Sequence, residues 1–143
     1  MEPNEEQQAF LEALPPEGRD LFTRTNGFMR YYDRDGKPIT ALDWCWKFAD
    51  DSYRVVKLTV VRGHKRVSTI WIGTGSYPGV IPKIFETMVF GRHADGSLGM
   101  RRYETIEAAR AGHAEMVRWW SLNHQQRRKY VIRVRAIMKK RRS

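Results

Sequence analysis

The chain has 143 residues, 41% hydrophobic and 12% aromatic, which suits one domain with a real core and excludes a disordered chain. Its one cysteine, Cys45, excludes an internal disulfide and a multi-cysteine zinc site and points to a reducing compartment; no apolar run approaches the roughly 20 residues that cross a bilayer. The net charge of +10 points to an acidic partner.

The start is acidic and lacks the basic and apolar regions of a signal peptide, so a soluble protein that stays inside its cell is expected. Residues 1–52 hold 6 Lys/Arg against 11 Asp/Glu, a local charge of −5. Asn4 is placed to cap a short helix to Leu14, with Glu5 and Glu6 in its first turn and Pro15-Pro16 as its stop. Residues 15–27 read as a linker or a loose turn of helix around Leu21-Phe22. A short strand from Phe28 and a turn at Asp35-Gly36 follow.

Thr40-Ala-Leu-Asp43 matches a helix cap and opens a helix to about Ala49. Trp44 and Trp46 lie two apart on it and diverge by about 200°, so they cannot share one core. One is expected on the sheet, the other on the N-terminal helix or a partner.

Residues 53–117 form the structural centre, with 10 Lys/Arg against 5 Asp/Glu. Three runs rich in β-branched and aromatic residues, separated by turns at Gly63, at the loop 73–79 and at Asp95-Gly96, read as an antiparallel β-meander. In the first run Val56, Leu58 and Val60 oppose Val55, Lys57, Thr59 and Val61. In the second, Val67, Thr69 and Trp71 oppose Ser68, Ile70 and Ile72. In the third, Ile84, Glu86, Met88 and Phe90 oppose Phe85, Thr87 and Val89. Both faces carry apolar residues, as in a sheet covered by helices on one side and by the termini, or another protein, on the other. From Thr105 the spacing turns helical, with Ala109, Met116 and Trp120 on one side, so a helix is expected over the sheet.

Met29-Arg-Tyr-Tyr-Asp-Arg-Asp-Gly-Lys-Pro-Ile-Thr40, Val67-Ser-Thr-Ile-Trp-Ile-Gly73, Pro82-Lys-Ile-Phe-Glu-Thr-Met-Val-Phe90 and Arg102-Tyr-Glu-Thr-Ile-Glu-Ala-Ala-Arg-Ala-Gly-His113 together resemble a family of small uncharacterised proteins of actinobacterial phages and prophages. The likeness spans residues 29–117 and leaves 1–28 as an N-terminal helical extension and 118–143 as a basic helical one. It implies an accessory protein acting in the host cytoplasm, and no particular reaction. Family members often carry an Asp-His pair after the Trp-hydrophobic-Gly strand end; this chain has Thr74-Gly75-Ser76-Tyr77-Pro78 there, which leaves a metal or acid–base role for the loop without its ligands.

Signals of catalysis are weak. His64, His93, His113 and His124 form no His-x-x-x-His or His-x-His pair, and His93-Ala-Asp95 is most often an exposed turn, so neither metal nor cofactor is expected. Glu86 and His113 are the best acid–base candidates; a buried Glu86 would need His113 or an arginine as partner. Cys45 has no neighbouring base and reads as a structural thiol. The glycine-rich loop 73–79 lacks the spacing and the following helix of a phosphate cradle.

Residues 118–143 hold 10 Lys/Arg and no acid. Tyr130, Val131, Val134, Ile137 and Met138 make one helical stripe, and Asn123 with Gln126 is placed to start this helix afresh, unless it runs on from the one before. The candidate contacts to nucleic acid or an acidic partner are Arg118, Arg127, Arg128, Lys129, Arg133, Arg135, Lys139, Lys140, Arg141 and Arg142, with Arg101-Arg102 and Lys65-Arg66 extending the patch. Trp119, Trp120, Tyr130 and Trp46 are candidates for stacking or partner contact. The expectation is an α+β domain, an antiparallel meander covered by helices, that binds nucleic acid or a nucleoprotein through its basic C-terminal helix without catalysis. Alternatives are an inhibitor or adaptor acting on a host defence or transcription complex, and a virion or assembly component; a membrane is not expected as partner.

Overall fold

A computed structural model of the protein describes residues 2–27, 29–75, 80–93 and 96–142. Phe28, residues 76–79 of the glycine-rich loop, and Ala94 and Asp95 lie outside the described residues, so the readings of the turn at Asp95 and of His93-Ala-Asp95 do too. The architecture is α+β, built on two antiparallel sheets.

The N-terminal helix α1 (Glu5–Ala13) starts at a reciprocal cap: Gln7 N–H donates to Asn4 Oδ1 at 2.9 Å and Asn4 N–H to Gln7 Oε1 at 3.1 Å. Pro15-Pro16 does more than stop it. Pro16 sits at the first position of α2 (Pro16–Thr23), where the missing N–H costs nothing, so of the two readings of residues 15–27 the structure has the helix around Leu21-Phe22. Short strands β1 (Arg30–Tyr32) and β2 (Pro38–Ile39) flank the Gly36 turn. Helix α3 (Ala41–Ala49) is capped by Thr40 Oγ1, which accepts from Asp43 N–H at 3.1 Å. A single turn, α4 (Asp51–Arg54), leads into the first long strand.

The main sheet has the order β3 (Val55–Val61), β4 (Lys65–Trp71), β6 (Phe85–Phe90), β7 (Ser97–Tyr103), each strand antiparallel to its neighbour. Between β4 and β6 the chain contributes β5 (Thr74–Gly75) to the small sheet β2-β1-β5. Helix α5 (Ile106–Ser121), capped by Thr105, crosses one face of the main sheet. The last helix is α6 (His124–Arg142).

The strand alternation holds in β4 and β6: Val67, Thr69, Trp71, Phe85, Thr87 and Val89 are fully buried beneath α5 and the small sheet. In β3 a bulge between Val55 and Lys57 changes the pattern, and Val56 packs with the core cluster of Trp71, Ile84, Phe85, Tyr103 and Ala109 rather than siding with Leu58 and Val60. The two tryptophans of α3 part as their spacing requires. Trp44 Nε1–H donates to Ile72 O at 2.8 Å and its ring stacks on Phe48, while Trp46 meets Phe10 of α1 at 5.5 Å between centroids. The two sheets are tied by Trp71 Nε1–H to Tyr32 O at 3.1 Å, and Arg34 in the turn after β1 donates to Tyr53 O of α4 and to Val55 O at the start of β3 at 3.5 Å.

Gly73 sits at the crossing of the two sheets with φ +60; a Cβ there would lie 2.3 Å from Trp71 Cζ2 and 2.9 Å from Tyr32 O. No other residue type fits without moving the core tryptophan. The far face of the main sheet, carrying Leu58, Val60, Ile70, Met88, Phe90 and Met100, has neither a helix nor a terminus over it among the described residues.

Candidate polyanion-binding surface

Helices α5 and α6 are separate, and the sequence explains why. After Leu122 leaves helical geometry (φ −71, ψ 143), Asn123 and Gln126 form a second reciprocal cap: Asn123 N–H donates to Gln126 Oε1 at 2.8 Å and Gln126 N–H to Asn123 Oδ1 at 2.9 Å. Residue 118 therefore opens no element. Arg118, Trp119 and Trp120 belong to the last turns of α5.

Arg127 fixes the junction. Its Nε donates to Trp119 O at 3.2 Å and its Nη2 to Trp120 O at 3.4 Å, satisfying terminal carbonyls of α5 where a cation is favoured. The same guanidinium lies 4.7 Å from the Trp120 ring centroid and 5.5 Å from that of Trp119. Half-buried, it clamps α6 onto α5 more than it faces outward.

Beyond this clamp α6 stands off the domain. Arg128, Lys129, Arg133, Arg135, Lys139, Lys140, Arg141 and Arg142 are all exposed. Ion pairs join Arg24 to Asp20, Arg54 to Asp51, Arg101 to Glu115 and Arg102 to Glu86, and α6 itself carries no carboxylate. The apolar stripe is not a packing face either: Tyr130, Val134, Ile137 and Met138 are 40–55% exposed, and Ile132, on the other side, is 59% exposed. The first two turns of α6 meet the domain, where Arg127 clamps α5, Tyr130 touches Trp119 edge-on at 5.7 Å and Val131 is half-buried.

The stacking candidates divide. Trp119 and Tyr130 line a cleft between α5 and α6 together with Met116, Leu122, Arg118 and the Arg101–Glu115 ion pair, so Arg118 is the cation beside the rings without that carboxylate. Trp120 packs over Gly99, whose position would put a Cβ 3.4 Å from the indole, and is held by Arg127. Trp46 is taken up by Phe10 on the N-terminal helices.

The flanking basic pairs also divide, because neighbours on a strand point to opposite faces. Arg101 faces α5 and pairs with Glu115 at 2.7 Å, whereas Arg102 reaches Glu86 at 2.8 Å on the far face. Lys65 lies near Asn123 and His124, with Arg62 beside it, while Arg66 lies over Phe90 on the far face. Arg62 is the member the sequence did not single out; the tight turn at Gly63, with φ +73, brings it to the start of α6.

Glu86 and His113 are brought to opposite faces of the sheet. Glu86 takes the arginine as its partner. His113, buried under α5, bridges hydroxyls: Nε2 lies 2.8 Å from Thr59 Oγ1, Nδ1 lies 2.7 Å from Thr69 Oγ1, and Thr69 Oγ1 is 2.5 Å from Thr87 Oγ1. Burial, aided by the nearby Lys57 charge, holds the imidazole pKa below its usual range. The Cys45 thiol is half-buried and its pKa is pushed up by desolvation. Among the described residues no group of three or more His, Cys, Asp or Glu converges on a point, and no helix is long and apolar enough to cross a membrane.

No family model, no curated protein and no solved structure matches the chain.

Proposed function

We propose that this is a non-catalytic accessory protein of phage type that binds nucleic acid, or a nucleoprotein, by the backbone through α6. One observation carries the reading: a 19-residue helix without an acid, its cations from Arg128 onward exposed, standing off the domain that anchors its first two turns. Such a helix is about 28 Å long and sets a row of cations against phosphates, gaining affinity by counterion release. The Trp119–Tyr130 cleft supports stacking of an unpaired base beside the charged row. No side-chain set suggests direct base reading, so sequence preference is expected to be weak. The separation of Glu86 from His113 supports a role without catalysis, and the likeness over residues 29–117 supports a phage origin and action in host cytoplasm.

The test compares the full chain with a chain ending at Asn123, which keeps α5 whole, on duplex and single-stranded DNA and RNA across a salt series. With about four phosphates neutralised, affinity for duplex DNA should fall on the order of 100-fold between 50 and 200 mM salt. The shortened chain should lose nearly all of it. Equal binding by both chains would sink the reading.

A further inference from the structure

Large exposed apolar side chains gather in two places besides the sheet's end: along α6, and on the far face of the main sheet. There Leu58 and Val60 of β3 and Leu98 and Met100 of β7 are 50–64% exposed, with Ile70, Met88 and Phe90 half-buried between them. We propose that this face is the contact surface of a homodimer, two copies packing sheet against sheet.

Register and charge single out a second copy as the occupant. Across the face the rows run Val60–Arg66–Phe90, Leu58–Ser68–Met88–Met100 and Ile70–Glu86–Arg102. A two-fold axis along the strands, midway between β4 and β6, sets β3 over β7 of the second copy and β4 over its β6. Leu58 then meets Met100 of the second copy, and Val60 its Ser97–Leu98 bulge, where Phe90 pairs with Ser97 and Leu98 is the extra residue. Arg66 lies over Phe90 of the second copy, repeating the contact it makes within its own chain at 5.8 Å. Neither arginine meets its own equivalent, and Arg102 is already neutralised by Glu86. By contrast, α6 cannot pair with α6 of another copy, because every charge on both helices is positive.

The face spans four strands and about six residues, roughly 20 Å on a side at ordinary strand spacing, and stacked sheets lie about 10 Å apart. That extent is at the low end for specific interfaces, so a reversible dimer is expected rather than an obligate one.

Sedimentation velocity of the full chain from about 1 µM to about 500 µM should show monomer passing to dimer, with a midpoint in the tens of micromolar. Association should strengthen in about 0.5 M salt, where repulsion between two +10 chains is screened, the opposite of nucleic-acid binding. Leu58→Glu and Met100→Lys should each weaken the dimer at least about tenfold, since each buries a charge in the interface. Both sites are more than half exposed, so each variant should keep the parent's melting temperature within a few degrees. Val134→Glu on α6 should leave the dimer intact. A chain that stays monomeric throughout, including one that uses this face for a different protein, overturns the proposal, as does a dimer indifferent to both sheet variants.

Discussion

His113 is the middle of a polar chain that runs from Thr59 on β3 through Thr69 on β4 to Thr87 on β6, roofed by α5. A neutral imidazole offers one donor and one acceptor, and the hydroxyl rotors turn to match it. Replacing it with alanine strands these hydroxyls beside a cavity, so His113→Ala should cost about 2–4 kcal/mol in urea unfolding. Its acidity gives a signed pH effect. With the folded pKa below the ordinary 6.5, the unfolded chain takes the proton first. Stability from this group is therefore full at neutral and alkaline pH, falls as pH drops through 6.5, and levels off below the folded pKa. In His113→Gln that part of the melting-temperature profile should flatten. Gly112, about two turns past the Thr105 cap of α5, answers to sterics alone: a Cβ would stand 2.2 Å from Tyr103 Cε1. Gly112→Ala should lose about 1–3 kcal/mol by forcing α5 off the sheet, measured by thermal or urea unfolding.

Elements with a period or a cap could be read from the chain; elements shorter than a period could not. Strands β4 and β6 send Val67, Thr69 and Trp71, and Phe85, Thr87 and Val89, into the core by strict alternation, with Glu86 of the other face buried as well by its pairing with Arg102, and the caps at Asn4, Thr40 and Asn123 fall where a side-chain acceptor precedes the helix. The sheet β2-β1-β5 has strands of two or three residues, too few to show alternation, and the β1–β5 pairing is decided by contacts such as Tyr31 with Thr74, 43 residues apart in sequence. The candidate surface was legible as charge, since a run of cations needs no fold to be seen. Which cations share a face was not: Arg101 and Arg102 part company only because they lie on a strand. Helix α6 itself carries a further expectation. Lys129 with Arg133 and Arg135 with Lys139 are like charges four apart, which oppose helix formation. A peptide of residues 123–142 should be mostly unfolded by circular dichroism in low salt and should gain helix when a polyanion such as heparin or DNA is added.

At the scale of the molecule, the domain and its arm divide the work of folding and binding. The chain ending at Asn123 should unfold at a slightly lower urea concentration than the full chain, because it loses the Arg127 clamp and the Tyr130 contact with Trp119 but none of the buried core. The acidic first third and the cationic last fifth also make the protein a permanent electric dipole, −5 at one end of the sequence and +10 at the other. A polyanion's field exerts a torque on such a body before any contact forms, so encounters begin with the arm leading and the acidic helices trailing. Productive collisions then need less rotational search, and the benefit is spent in the association rate, which should fall with added salt faster than the dissociation rate rises.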